Sequence, residues 1–147
     1  MPDALRFADF RPGQRFRSAA RSITADEIKA FARDFDPQPF HLDEAAAAGS
    51  LFGGLAASGW HTAALAMRLN IEGGLPIAGG VIGSAIDELR WPAPVRPGDT
   101  LTAENEVIEV IPSASRPGSG RVRAACRVTN QDGTLVLSFI ATLVVRG

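Results

Sequence analysis

The chain has 147 residues, of which 46% are hydrophobic and 21% are charged, values typical of a folded domain large enough to bury a core without disulfides or a metal ion. Its formal net charge of -1 gives no electrostatic reason to expect nucleic acid or an anionic membrane as a partner. No apolar run approaches the roughly 18 residues of a membrane helix, and the first residues lack the apolar region of a secretory signal. We therefore expect a cytoplasmic protein with a single domain over residues 1–147.

The N-terminal part of the chain predicts a short strand followed by a helix. The strand is expected over residues 16–21. Thr24 and Glu27 then have the spacing of a capping box, in which each side chain accepts a hydrogen bond from the other residue's backbone N–H. Apolar residues follow at helical spacing over residues 28–35, and Pro37 requires the helix to end near residue 36.

Asp36 and His41 are the strongest candidates for chemistry. They lie five residues apart in a segment whose two prolines restrict the backbone. A histidine, with an ordinary pKa of about 6.5, and a carboxylate whose pKa depends on burial can form a general acid/base pair near neutral pH. The alternative is a plain surface turn, in which Asp36 only accepts backbone hydrogen bonds.

Two more helices are predicted before residue 70. Asp43 is a suitable N-cap for a brief helix over residues 44–48. Ser58 and Gly59 precede residues 60–69, which are apolar or small on nearly every face and therefore predict a central helix buried all round. The backbone N–H groups at the start of that helix can bind a developing oxyanion, and Gly59 would let a ligand approach closely. The pattern is equally explained if Ser58 only caps the helix and Gly59 only permits close packing.

From residue 81 onward the hydrophobic pattern has a period of two, which indicates β-strands. Turn-forming residues separate the alternating stretches, and these short connections favour antiparallel pairing. The predicted strands include residues 81–85, 101–107, 122–128 and 134–145. The pattern predicts an α+β fold in which a single antiparallel sheet wraps around the central helix.

Three other potential sites are better explained without catalysis. Cys126 lies in an alternating apolar stretch and has no second cysteine to pair with, which favours a small core residue over a nucleophile. His61 lies inside an apolar helix, where histidine is more often a hydrogen-bonded core residue than a catalyst. A metal site built from Asp36, His41 and Asp43 would lack a second histidine at a recognisable ligand spacing, so we expect no bound metal.

Four features together resemble the MaoC-like acyl dehydratases, the hot-dog-fold family that contains the (R)-specific enoyl-CoA hydratases. They are the segment DPQPFHLD at residues 36–43, Phe52, the Ser58-Gly59 pair, and ELRWPAPVRPGDTL at residues 88–101. The resemblance covers most of the chain. It implies a hot-dog fold, in which an antiparallel sheet wraps around a central helix.

The resemblance also implies roles for particular residues. In the family, an aspartate followed five positions later by a histidine forms the hydratase site, which assigns catalysis to Asp36 and His41. The family's glycine offers its backbone N–H to the thioester carbonyl, and this role falls on Gly59, beside Ser58. The family usually has a His-Gly-Met triplet there, whereas this chain has Trp60 after the glycine.

Two side chains of the central helix are therefore expected to shape the substrate pocket. One is Trp60, and the other is Met67, which occupies the position where many family members have a polar serine. The glycine-rich run over residues 70–80 lacks the Lys-Ser/Thr pair of a phosphate loop and is predicted to be a mobile connection that borders an acyl pocket.

The implied activity is reversible hydration of a trans-2-enoyl-CoA to a (3R)-3-hydroxyacyl-CoA in fatty acid metabolism, with no cofactor other than the coenzyme A of the substrate. Acyl-CoA thioester hydrolysis and passive binding of acyl thioesters are the alternatives. A single sheet around one helix leaves an unpaired edge, so we expect a homodimer or a higher homo-oligomer. Arg116, Arg121 and Arg123 are either contacts for the phosphates of coenzyme A or solvated surface residues.

Overall fold

The structure is a computed structural model that describes residues 4–147. Its helices are α1 (Ala25–Phe35), α2 (Pro39–Leu42), α3 (Glu44–Ala48) and α4 (Gly59–Leu69). Its strands are β1 (Arg15–Arg17), β2 (Arg21–Ser22), β3 (Ile82–Arg90), β4 (Thr100–Pro112), β5 (Gly120–Thr129) and β6 (Leu135–Val145). No helix within residues 4–147 is long and apolar enough to cross a membrane.

The predicted boundaries of the first helices are confirmed by their caps. At the start of α1, the Glu27 N–H donates to the Thr24 hydroxyl at 3.2 Å and the Thr24 N–H donates to the Glu27 carboxylate at 3.2 Å. The helix ends at Phe35. The Asp43 carboxylate accepts a hydrogen bond of 2.8 Å from the N–H of Ala45 and caps α3 over the predicted residues.

The strands form one antiparallel sheet in the order β1-β4-β5-β6-β3, and β2 also pairs with β4. Buried and more exposed residues alternate along β4 and β5, because one face of the sheet packs on the core. The prediction of one continuous strand over residues 16–21 is wrong, because β1 and β2 are separate. Between them the Ser18 hydroxyl accepts the N–H of Ala103 at 2.9 Å, so a side chain replaces the backbone carbonyl and interrupts the ladder.

Helix α4 packs against the inner face of the sheet, which confirms the predicted hot-dog architecture. The core joins apolar residues of α1, α4 and three strands, including Ile28, Leu65, Ala66, Leu69, Leu101, Ala103, Val128 and Leu137. The prediction that α4 is buried on nearly every face is wrong for one side. Trp60 is 59% exposed and Met67 is 44% exposed, because the sheet covers only part of the helix circumference.

The chain continues from α4 into a π-helical turn over Asn70–Gly74. The Asn105 carboxamide donates hydrogen bonds of 2.8 Å to the side-chain oxygen of Asn70 and to the carbonyl of Gly74, which ties this turn to β4. The first half of the predicted glycine-rich connection is therefore an anchored helical turn. Further on, Ile77 forms a parallel bridge with Leu5.

Strand β3 has a bulge near its C-terminal end, just before the residues that approach the first residue of α4. Its register with β6 shifts between Asp87 and Arg90, and Glu88 has a φ of 52°, a left-handed conformation that glutamate rarely adopts. Such bulges bend a strand and redirect the residues that follow it. Trp91 comes directly after this bend.

Candidate active site

Asp36 and His41 are brought together by two consecutive helices. Asp36 caps the C-terminus of α1, and its N–H donates to the carbonyl of Ala32 at 2.9 Å. His41 lies on α2, the helical turn that begins at Pro39, so the predicted loop is helical at this point. The Nε2 atom of His41 lies 3.3 Å from Oδ2 of Asp36, so the two side chains are in contact.

The imidazole of His41 is buried, with only 4% of the residue exposed, and its orientation is fixed. Its Nδ1 lies 2.6 Å from the carbonyl oxygen of Ala56. Because a carbonyl oxygen can only accept a hydrogen bond, Nδ1 carries a proton and donates a hydrogen bond to the Ala56 carbonyl. The other ring nitrogen, Nε2, therefore faces the carboxylate of Asp36. The rings of Phe40 and Phe52 pack against the imidazole, with centroid distances of 4.6 Å and 5.9 Å.

The carboxylate of Asp36 is held in its charged form. Partial burial alone would raise its pKa, but hydrogen bonds from Ser58 and Gln38 and the charge of His41 together outweigh burial and lower the pKa below its ordinary value. The Gln38 amide donates to Oδ1 of Asp36 at 2.5 Å. Oδ2 is the oxygen that approaches the imidazole. The site therefore pairs an ionised carboxylate with an oriented histidine.

Gly59 is the first residue of α4, and Ser58 is its N-cap. The buried Ser58 hydroxyl accepts the N–H of Trp60 at 3.3 Å, so the predicted cap is present. Among residues 4–147, no acceptor bonds the N–H of Gly59. This N–H lies at the positive end of the helix dipole, and Gly59 lines the cavity that also contains His41. The arrangement fits the predicted binding of a developing oxyanion.

Trp91 is a site residue that the sequence reasoning missed. Its indole N–H donates to the carbonyl of Gly59 at 2.8 Å. A Cβ atom added at Gly59 would lie 2.7 Å from two ring atoms of Trp91, so the approach of the indole requires glycine at this position. The signal in the sequence was the position of this tryptophan directly before the Pro-Ala-Pro segment.

These residues line one open cavity of about 360 Å³, which we call the first cavity. Its walls include Asp36, His41, Phe52, Gly59, Trp60 and Trp91. Of the predicted site residues, Ser58 is buried and Met67 lies elsewhere on α4, and neither lines this cavity. Met67 instead lines a second cavity of about 380 Å³.

Arg96, also missed by the sequence reasoning, stabilises the turn that precedes Ser58. Its guanidinium donates to the carbonyl of Gly54 at 2.8 Å and also to the carbonyls of Leu55 and Phe52. No single short-range pattern could reveal these contacts, because they span more than forty residues of the chain. Arg96 therefore supports Phe52, a wall of the first cavity, without lining that cavity itself.

The other predicted core residues lie away from the first cavity. Cys126 is buried, and burial raises the pKa of its thiol to about 11, which confirms it as a core residue rather than a nucleophile. His61 is buried with its ring stacked on Phe31 at 4.6 Å, and its Nδ1 has no hydrogen-bond partner among residues 4–147. His61 is thus a core residue, as expected, but without the expected hydrogen bond at that nitrogen.

The three arginines considered as contacts for coenzyme A do not line the first cavity. Arg123 pairs with Glu109 at 3.2 Å and approaches Asp87 at 3.8 Å, whereas Arg116 and Arg121 line a different groove, beside the β4–β5 turn. Within the described part of the chain, no three His, Cys, Asp or Glu side chains cluster in a way that could hold a metal ion.

Comparison with known proteins identifies the family. A family model described as a MaoC like domain matches residues 7–128. The crystal structure of a MaoC-like dehydratase from Rhodospirillum rubrum has 52% sequence identity and a TM-score of 0.94, and the match covers 97% of each chain.

Two matching proteins carry more specific names. An (R)-specific enoyl-CoA hydratase of Rhodospirillum rubrum is 30% identical over 145 residues, which cover 95% of this chain and 90% of the relative. The R-hydratase PhaJ1 from Pseudomonas aeruginosa is 33% identical with a TM-score of 0.78, over 97% of this chain and 86% of the other. The chain belongs to the MaoC-like dehydratase family, which includes (R)-specific hydratases.

Proposed function

We propose that this protein catalyses the reversible addition of water to a trans-2-enoyl-CoA, giving a (3R)-3-hydroxyacyl-CoA. The observation that carries the proposal is the convergence of three groups on the first cavity. These groups are the carboxylate of Asp36, Nε2 of His41, and the unbonded N–H of Gly59. Together they supply an acid/base pair and an oxyanion donor, the set that hydration of a conjugated thioester requires.

Asp36 and His41 act on one water molecule. The pair holds the water between the carboxylate and Nε2, and one member takes a proton as the oxygen attacks C3 of the substrate. The electrons of the C2=C3 double bond move toward the thioester carbonyl, and the Asp36–His41 pair then delivers the proton gained from the water to C2, which completes the addition. One C–O bond and one C–H bond form, while the π bond between C2 and C3 and one O–H bond of the water are broken, with no external oxidant or reductant.

Gly59 stabilises the charge that develops on the thioester oxygen. Its N–H points from the start of α4, where the helix dipole is positive. One such donor contributes about 3 kcal/mol to the transition state in comparable oxyanion holes. The hydrogen bond from Trp91 to the Gly59 carbonyl fixes the peptide on the other side of the same residue.

Relatives with named activities support this reaction class. The (R)-specific enoyl-CoA hydratase of Rhodospirillum rubrum matches nearly the whole chain, and so does the R-hydratase PhaJ1. The (R) stereochemistry of the product is proposed on this likeness, together with the matching Asp36 and His41 positions.

Thioester hydrolysis is the second candidate. The Gly59 N–H would equally stabilise a tetrahedral oxyanion at the carbonyl, and the ionised Asp36 could activate water for attack there. The two reactions differ in their products, because only hydrolysis releases the free thiol of coenzyme A. A protein that binds acyl-CoA tightly but forms neither product would instead be a passive binding module.

We also propose that the protein works as a homodimer. Strand β3 is at the edge of the sheet, so one side of its backbone is unpaired in the single chain. Ile82 and Ile86 on this strand are 59% and 52% exposed, which is costly unless another surface covers them. A second copy pairing through β3 would cover both and continue the sheet. Ile86→Glu should reduce the mass measured by light scattering to that of a monomer.

The direct test is an absorbance assay with purified protein and trans-2-enoyl-CoAs, coupled separately to (R)- and (S)-specific 3-hydroxyacyl-CoA dehydrogenases. Loss of the enoyl absorbance with a signal from the (R)-specific enzyme alone supports the proposal. Release of free thiol without a hydroxyacyl product supports thioester hydrolysis. Tight binding of acyl-CoA without either product supports the binding module.

A further inference from the structure

Trp60 stands at the boundary between two cavities. The first cavity holds the Asp36–His41 pair, and the second cavity lies between α4 and the inner face of the sheet. Trp60 is the one residue of the described chain that belongs to the walls of both. The two cavities therefore adjoin at Trp60.

The Trp60 ring packs against Trp91, which is itself held in place by a hydrogen bond. It packs edge-to-face against Trp91, with ring centroids 5.3 Å apart and an angle of 79° between the ring planes. Trp91 is itself held by its hydrogen bond to Gly59 and is followed by Pro92, which limits the backbone. The Trp60 side chain therefore forms a wall of the cavity that Trp91 supports. Because Trp60 is 59% exposed, a smaller residue at this position would leave the core filled.

The second cavity suits an apolar chain. It is about as large as the first, and most of its walls are apolar, including Met67, Leu75, Leu89 and Phe139. The polar side chains in its walls are Asn70 and Asn105, which are hydrogen-bonded to each other at 2.8 Å. An alkyl tail that reached this space would be removed from water.

The direction of an acyl tail follows from the proposed function, on which this inference rests. With the thioester carbonyl at the Gly59 N–H and the C2=C3 bond beside Asp36 and His41, the rest of the acyl group must leave the first cavity along one of its walls. Trp60 directly follows Gly59 and forms the wall on the side of the second cavity.

We propose that Trp60 restricts this enzyme to short acyl groups, such as butenoyl, by closing the path from the reacting carbons to the second cavity. The substrate class is therefore short-chain trans-2-enoyl-CoAs. A smaller residue at position 60 joins the two cavities and admits long apolar tails.

The experiment compares kcat/KM for crotonyl-CoA and trans-2-decenoyl-CoA in the parent protein, Trp60→Met and Trp60→Ala. The parent should prefer crotonyl-CoA. In Trp60→Ala the ratio of decenoyl to crotonyl kcat/KM should rise at least about tenfold, the effect expected when a pocket gains room for several methylenes. Trp60→Met should give a smaller rise. Equal efficiency of the parent on both substrates, or an unchanged ratio in Trp60→Ala, overturns the inference.

Two variants of Met67 serve as matched controls, because this residue lines only the second cavity. Met67→Ala enlarges that cavity without opening the boundary, so the ratio should stay at the parent value. In the Trp60→Ala background, Met67→Trp refills the second cavity and should return the ratio to near the parent value. If Met67→Ala raised the ratio of decenoyl to crotonyl kcat/KM as much as Trp60→Ala does, that result would contradict a boundary at Trp60.

A binding measurement separates this inference from the proposed reaction. Butyryl-CoA and decanoyl-CoA have no double bond to hydrate, so calorimetry can give their affinities for each variant whatever the chemistry. A tenfold rise in the decanoyl-to-butyryl affinity ratio in Trp60→Ala, without turnover of any enoyl-CoA, would overturn hydration and support the boundary. Hydration of crotonyl-CoA with both ratios unchanged would overturn the boundary and keep hydration. Absence of both binding and turnover would overturn both.

Discussion

The indole N–H of Trp91 donates to the carbonyl of Gly59, and the same ring occupies the space that a side chain at position 59 would need. This contact joins the residue after β3 to the first residue of α4, thirty-two positions earlier in the chain. The central helix begins with glycine because the Trp91 ring leaves no room for a side chain at position 59. The contact with Trp91 also fixes the peptide beside the N–H that we assign to the thioester oxygen.

Gly59→Ala should therefore damage the site rather than the fold. The new methyl group would displace Trp91 and shift the N–H at position 59, and we expect kcat to fall by about 100-fold, as when an oxyanion donor is lost. Steady-state kinetics with crotonyl-CoA measures this. Gly49→Ala is the matched control, because a Cβ there would meet only the Ala46 carbonyl at an ordinary 3.8 Å. Equal kinetics in the two variants would contradict the role of Gly59.

Trp91→Phe should separate the hydrogen bond from the packing of the ring. Phenylalanine keeps an aromatic wall but cannot donate to the Gly59 carbonyl. We expect a loss of about tenfold in kcat, with a smaller change in KM, because the interaction positions a transition-state donor. An increase in KM at constant kcat would show instead that Trp91 only binds substrate.

Asp36→Asn and His41→Ala should each lower kcat by about 100-fold to 10,000-fold, because each removes one partner of the acid/base pair. Both variants should keep the circular-dichroism spectrum of the parent. Asp34→Asn is a matched control, since Asp34 is an exposed aspartate of the same helix, two residues before Asp36. Turnover near the parent value in either Asp36→Asn or His41→Ala would rule out the assigned pair.

The charge of Asp36 should depend on Ser58. Partial burial raises the pKa of Asp36, and hydrogen bonds from Ser58 and Gln38 together with the charge of His41 more than offset this effect. Removing the hydroxyl in Ser58→Ala leaves the burial effect in place, so the pKa of Asp36 should rise. Carboxyl-carbon NMR titration of Asp36 measures this directly, and a pKa equal to that of the parent would show that Ser58 is only a helix cap.

His61 should make the protein less stable in mild acid. Burial lowers its pKa below the ordinary value, while Glu27 opposes and Arg21 adds to this shift. The unfolded chain then binds a proton more readily than the folded protein, so the free energy of unfolding falls as pH drops below about 6.5 and levels off below the folded pKa.

His61→Phe keeps an aromatic ring against Phe31 but cannot titrate, so it should reduce this loss of stability. The measurement is urea unfolding of the parent and the variant at about pH 7.5 and about pH 5.5. The parent should lose more free energy of unfolding between the two conditions than His61→Phe does. An equal loss in both proteins would assign the acid sensitivity to other groups.

Local patterns were enough to predict much of this fold. The capping box at Thr24, the cap at Asp43 and the strand periodicity after residue 81 depend on residues close in sequence, and the structure has each of them. The spacing of Asp36 and His41 was also a local feature, and the two side chains do meet.

Features that depend on distant parts of the chain could not be predicted in this way. The split between β1 and β2 depends on a hydrogen bond from Ala103 to Ser18, eighty-five residues apart. The exposed side of α4 depends on how far the sheet curves around it, which hydrophobic periodicity does not record. The contact of Trp91 with Gly59 depends on the bulge at Glu88, where a glutamate adopts a conformation that its sequence does not favour.

The most direct test of the central claim is to follow the oxygen of water into the product. Purified protein is incubated with crotonyl-CoA in water enriched in the heavy oxygen isotope, and the products are analysed by mass spectrometry and chiral separation. We expect the label in the hydroxyl group at C3 of (3R)-3-hydroxybutyryl-CoA, with none formed by Asp36→Asn or His41→Ala. Label in a free carboxylic acid, accompanied by free coenzyme A, would contradict hydration and show that the site hydrolyses thioesters.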